Sequence, residues 1–395
     1  MLGDVLYPAA SGRRRRRRES ILLKYVQQSL LTAVAFVLAA SLLNQIIPSP
    51  SIPANVVFVG PKYEFYKAHK DDYTALFFGS SRVFNQVIPD VFDQTASAEG
   101  IQVNSYNFGV PAMRALDSAV LLEEVLKHPP KNLKWVFFES VLDKGYEPIQ
   151  NARTHRAMYW HTWENTRLAA RYILTSEESL PGKTALLTSH LLPALYRQLN
   201  VGRLFNQVLP SEFSAEEIAV TEEFTANEGF RPLNDPEAPK RLAFLNNQVG
   251  YQKQVEKLTK RLAKSATADP SLPPNKRMLL ARISQTIRET GAEPIFIEPP
   301  SLELDMDFQA AKALGEIDTL LSYKDPQAFP YLYKPDNRFD ADHLTPSASD
   351  QFSRLLAKDF SRALQSEDST GLNNAGPNSA GPNSAGPNSA GLNKT

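Results

Sequence analysis

The sequence predicts an α/β fold built on a parallel sheet, interrupted by a helical insertion and preceded by one membrane-spanning helix. Short apolar runs alternate with amphipathic stretches in two blocks, about 71–145 and 275–365. The alternation lapses over about 146–270, where the chain is polar, helix-rich and punctuated by prolines. A long apolar stretch follows six consecutive arginines near the N-terminus. Alternating strands and helices imply right-handed crossovers and hence a parallel sheet.

The chain divides in order. Residues 1–24 carry Arg13 to Arg18 and Lys24 against Asp4 and Glu19, a net charge of +5. Residues 30–47 hold only Thr32, Ser41, Asn44 and Gln45 as polar members. As a helix they cover about 27 Å at ~1.5 Å per residue, close to the ~30 Å hydrocarbon core, and Tyr25 with Lys24 extends them. Residues 25–47 are therefore expected to span a membrane. An arginine cluster before a first span is retained in the cytoplasm, which puts everything after about 48 outside. Small residues at Ala39-Ala40-Ser41 leave cleavage as a signal peptide open, although no clean Ala-x-Ala site follows. Residues 48–70, with Pro48, Pro50 and Pro53, read as a stalk. The end, 366–395, repeats Ala-Gly-Pro-Asn-Ser and is expected to be disordered. Between them, 71–365 form the α/β domain, with the insertion at about 146–270.

Within that domain, 74–78, 102–108, 133–138 and 294–297 read as strands. Residues 91–98, 112–127, 276–290 and 347–364 read as helices.

Composition excludes several chemistries. The 395 residues contain no cysteine, so disulfides, zinc–cysteine sites, iron–sulfur clusters and thiol nucleophiles are absent. The 43 basic and 43 acidic side chains cancel only overall, because the chain after residue 24 carries −5. Beside a span, the arginine run serves topology and not nucleic acid.

In open parallel sheets, reactive groups collect at the carboxyl ends of the strands. Here those ends read Gly79-Ser80-Ser81-Arg82, Asn107-Phe108-Gly109, Glu139-Ser140 and Glu298-Pro299-Pro300-Ser301, and Asp340-Ala341-Asp342-His343 precedes the last helix. Acyl transfer needs such a set. Ser81 is the candidate nucleophile, His343 the base, and Asp340 the group that fixes the histidine tautomer. Backbone N–H groups of Ser81 and Gly109 are candidate oxyanion donors. Neither a metal nor a cofactor is expected.

These residues resemble the SGNH/GDSL hydrolase superfamily. Gly79-Ser80-Ser81 is similar to its Gly-Asp-Ser signature, with Ser80 in place of aspartate. Gly109 matches its second-block glycine, and Asp340-Ala341-Asp342-His343 its closing Asp-x-x-His. The resemblance covers roughly 70–145 and 275–365, and it implies a three-layer flavodoxin-like SGNH domain. More narrowly, the chain resembles membrane-anchored extracytoplasmic members such as alginate acetyltransferases and the protein that transfers D-alanine to teichoic acids. That likeness implies an esterase or O-acyltransferase on the outer face of a bacterial inner membrane. Its substrate would be a cell-surface polysaccharide or glycolipid, with a membrane-bound acyl donor protein as a partner.

One departure stands out. The family has an asparagine oxyanion donor after the third strand, and this chain has Glu139. An ionised Glu139 aimed at the oxyanion would repel it, so it must point elsewhere, be protonated, or leave the site inactive, in which case the fold serves as a scaffold. Arg82 could neutralise Glu139 or hold an anionic substrate. Trp160 and His161, within the aromatic and basic stretch 153–163, are candidate substrate contacts, with packing of the insertion as the alternative.

Overall fold

The structure, a computed structural model, describes residues 11–46, 52–200 and 214–373. Five parallel strands form one sheet in the order β2-β1-β3-β4-β5. They are β1 (Ala75–Phe78), β2 (Ser105–Asn107), β3 (Trp135–Phe138), β4 (Glu293–Glu298) and β5 (Thr319–Ser322). The chain leaves β1 for β2 on one side and returns past β1 to β3 on the other. The crevice outside the carboxyl ends of β1 and β3 is thus the switch point at which such sheets place ligands.

Side chains alternate between two apolar layers, as the pleat requires. Leu76, Phe78, Val136, Phe138 and Phe296 enter one layer with α5 (Ala115–Leu126), α12 (Pro274–Arg288) and α13 (Asp307–Ala313). Ala75, Phe77, Phe137, Ile295 and Ile297 enter the other with α4 (Pro89–Ala98) and the closing helix α14 (Pro346–Asn373). Phe77 stacks on Phe137 at 4.2 Å between β1 and β3. Full burial of each such ring is worth about 1.5–3 kcal/mol, which fixes the strands from which the site projects.

Two expectations change. Residues 59–69 are not a stalk but helix α2 (Val59–His69), whose Val59, Tyr63 and Tyr66, spaced i, i+4 and i+7, are buried against the β2 side. Residues 366–373 continue α14, and the repeats beyond 373 lie outside the described residues. The helical insertion packs into both apolar layers. Tyr159, Trp160, Leu168 and Tyr172, from α6 (His155–Trp160) and α7 (Trp163–Leu174), join the first apolar layer. Leu258 of α11 (Gln248–Ser265) joins the second. The remaining insertion helices are α8 (Leu180–Leu199), α9 (Ala215–Thr225) and α10 (Pro239–Leu245).

The N-terminal helix α1 (Ser11–Ile46) contains the apolar stretch Leu22–Asn44, long and apolar enough to cross a membrane at a mean hydropathy of 1.8. It packs against α8.

Candidate active site

Ser81 opens the short helix α3 (Ser81–Gln86) directly after β1. Ser80 caps that helix, its Oγ accepting from Arg82 N–H at 3.3 Å. Gly79 is required at the turn, because a Cβ there would lie 2.5 Å from Val83 and 2.7 Å from the Glu139 carboxylate. The side chain of Ser81 is left partly exposed.

His343 reaches Ser81 from the loop before α14. Its Nε2 lies 2.8 Å from Ser81 Oγ. On the other side of the ring, Nδ1 lies 2.9 Å from Asp340 Oδ1 and 3.0 Å from Oδ2. With Nδ1–H donated to Asp340, the Nε2 lone pair faces the serine hydroxyl, the tautomer a general base needs. Asp340 Oδ1 also accepts the backbone N–H groups of Asp342 and His343, each at 2.8 Å. Burial alone would raise the Asp340 pKa. The hydrogen bonds from His343 and from these two amides outweigh it and hold Asp340 below the usual carboxylate range.

Residues outside the motifs fix the two loops against each other. Gln86 of α3 donates Nε2 to Asp342 O at 3.0 Å, joining the helix that Ser81 opens to the histidine loop. Arg338, fully buried, donates to Pro300 O at 3.1 Å and Ala341 O at 2.6 Å. Arg241 of the insertion donates to Phe339 O at 3.2 Å. No sequence motif marks these contacts, since they run from side chains to backbone carbonyls, most of them far away in the chain.

Glu139 points away from an oxyanion position. Its Oε2 accepts Ser80 N–H at 2.7 Å and its Oε1 pairs with Arg82 at 2.8 Å, with Glu139 3% exposed. The carboxylate thus grips both neighbours of Ser81. Burial disfavours the Arg82 charge, but Glu139, with Glu303 and Asp342, overcomes this and raises its pKa. Arg82 is thus paired with Glu139, the first of the two contacts expected of it.

The Gly109 N–H is likewise not an oxyanion donor. It is donated to Asn107 Oδ1 at 2.8 Å, while Asn107 Nδ2 donates to Val83 O and Val87 O, both at 2.8 Å. A Cβ on Gly109 would sit 2.3 Å from Phe84 N, so the glycine serves close packing of β2 against α3. Ser81 N–H, the other expected donor, has no acceptor among the described residues.

Trp160 and His161 do not reach substrate. They are 2% and 1% exposed, their rings tilted against each other at 3.8 Å inside the insertion. His161 bonds to Ala157 O and, at 3.0 Å, to His190 Nδ1. Packing of the insertion explains both.

No protein-family model matches the chain, and no curated protein matches it.

Proposed function

We propose that this chain is a membrane-anchored, SGNH-type serine esterase or O-acyltransferase acting on a cell-envelope polysaccharide or glycolipid through an acyl-serine intermediate. The observation that carries the reading is the continuous chain Ser81 Oγ, His343 Nε2, His343 Nδ1 and Asp340, with every step between 2.8 and 3.0 Å. The flavodoxin-like strand order, the serine after the first strand and the Asp-x-x-His before the last helix support the SGNH assignment. The arginine run at the start of α1, ahead of its apolar stretch, supports a cytoplasmic N-terminus and an outward-facing domain at a bacterial inner membrane, where a membrane-bound acyl donor would be within reach.

In this mechanism His343 takes the Ser81 proton as Oγ attacks the acyl carbonyl. The developing oxyanion turns to Ser81 N–H, and Asp340 stabilises the imidazolium. Collapse breaks the ester bond, His343 returns the proton to the leaving alcohol, and the acyl group stays on Ser81. His343 then deprotonates water or a sugar hydroxyl, which attacks the acyl-serine and releases acid or a new ester.

A non-catalytic scaffold of the same fold is favoured by one observation: Gly109 N–H is occupied and Glu139 replaces the asparagine, leaving a single oxyanion donor of those expected. Release of nitrophenol from 4-nitrophenyl acetate, with and without de-acylated envelope polysaccharide, separates the two. Turnover that vanishes in Ser81→Ala and His343→Ala supports catalysis, and polysaccharide that gains acetyl groups supports transfer. Wild-type turnover no faster than Ser81→Ala across a series of short-chain esters supports the scaffold.

A further inference from the structure

α8 carries an apolar face that nothing among the described residues covers. Leu191 and Leu195, one turn apart, are 53% and 49% exposed, and Trp163 at the start of α7 is 63% exposed. Trp163 opens α7, the helix that packs against α8. Exposed apolar area of this kind marks an interaction surface.

Its position relative to α1 identifies what it meets. Asn44, the last residue of the apolar stretch, donates Nδ2 to Gln198 O in the final turn of α8 at 3.0 Å. Ala40, one turn earlier, is 1% exposed, whereas Leu38, Leu42 and Ile46 are open. Leu195 and Leu191 precede Gln198 by three and seven residues, about 4.5 and 10 Å along the helix. Both lie close to the end of the apolar stretch, where a bilayer that α1 crosses would have the interface into which helices sink their apolar faces by ~5–10 Å. α8 contains no acidic residue that would repel anionic headgroups.

We infer that Leu191 and Leu195 rest in the headgroup–acyl boundary of the bilayer that α1 crosses, with Trp163 at its edge, so that α8 lays the domain against the membrane. This rests on reading α1 as a membrane span. The contact would hold the domain in one orientation, with the Ser81 crevice at a fixed height over the lipid surface.

The absence of cysteine allows a direct test. Single-cysteine variants of the full chain, L191C, L195C, L42C and Q94C, are labelled with an environment-sensitive fluorophore. They are reconstituted into vesicles of phosphatidylglycerol and phosphatidylethanolamine containing nitroxide-labelled lipid. Gln94 is exposed on α4, on the opposite face of the sheet. The expected result is blue-shifted emission, quenched by lipid nitroxide, at 191 and 195 as at 42, with neither effect at 94. Quenching at 42 but not at 191 and 195 overturns the inference and leaves the span intact. Blue-shifted but unquenched emission at 191 and 195 also overturns it, because protein then covers the face. Absence of quenching at 42 overturns the span and the inference with it.

Discussion

Replacing Glu139 by glutamine should destabilise the fold and slow Ser81 together. The carboxylate is 3% exposed and holds Ser80 N–H at 2.7 Å and Arg82 at 2.8 Å. Glutamine keeps an acceptor for Ser80 but turns an amide N–H₂ toward a guanidinium that has lost its counter-charge. Removing one partner of a buried pair costs about 3–5 kcal/mol. The Arg82 side chain is 11% exposed, which lets some water in and places the expectation near the lower end, about 3 kcal/mol. Arg82→Leu should cost a similar amount, since it strands Glu139. The double variant should cost less than the two singles combined, by about 2–3 kcal/mol, because no unpaired charge remains. Urea unfolding of the four proteins measures the coupling, and the rate of fluorophosphonate attachment to Ser81 measures the site. Were Glu139 aimed at the oxyanion, Glu139→Gln would relieve repulsion and accelerate attachment. Faster labelling, or additive stabilities, would refute the clamp.

Other consequences follow from the same geometry. Asp340→Asn removes the acceptor that selects the Nδ1–H tautomer of His343, and ester turnover should fall about 10⁴-fold with little change in the folded far-UV spectrum. Gly109→Ala places a methyl 2.3 Å from Phe84 N and should destabilise by about 1–3 kcal/mol in urea, with slower labelling because α3 carries Ser81; an unchanged midpoint would contradict the packing role. Asp93 is half-buried, and desolvation raises its pKa from 3.8 to about 7 despite the hydrogen bond from Ser105 N–H at 2.8 Å. Its folded-state pKa is raised, so the stability tied to its protonated form is present below pH 3.8 and lost as pH rises to about 7. Asp93→Asn should therefore raise the melting temperature by an amount that grows from pH 4 to 7 and then levels off, and a pH-independent difference would contradict this.

The parts legible in the sequence were those with strong local signals. Phe77, Phe78, Val136, Phe137 and Phe138 form short apolar runs bounded by turn residues, which read as buried strands, and the turns they lead to hold Ser81 and Glu139. β5 was missed because Thr319–Ser322 is a half-exposed edge strand of four residues with polar ends, too short to show a period. The helix at 59–69 did carry a signal, Val59, Tyr63 and Tyr66 on one stripe, but the prolines before it favoured a stalk. A glycine at a strand end is equally suited to admit a substrate or a neighbouring helix. Only the position of Phe84 and Asn107 decides for Gly109. Glu139 reads as a defect in isolation, and becomes a clamp once Ser80 N–H and Arg82 are placed on either side of Ser81.

The central claim is that Ser81 is a nucleophile activated by His343, and peptide mass spectrometry after fluorophosphonate treatment tests it most directly. The geometry predicts one phosphonate adduct, on Ser81, in the wild type, none in Ser81→Ala, and a rate in His343→Ala reduced by several orders of magnitude. Equal labelling of all three proteins, or an adduct on another serine, would contradict it.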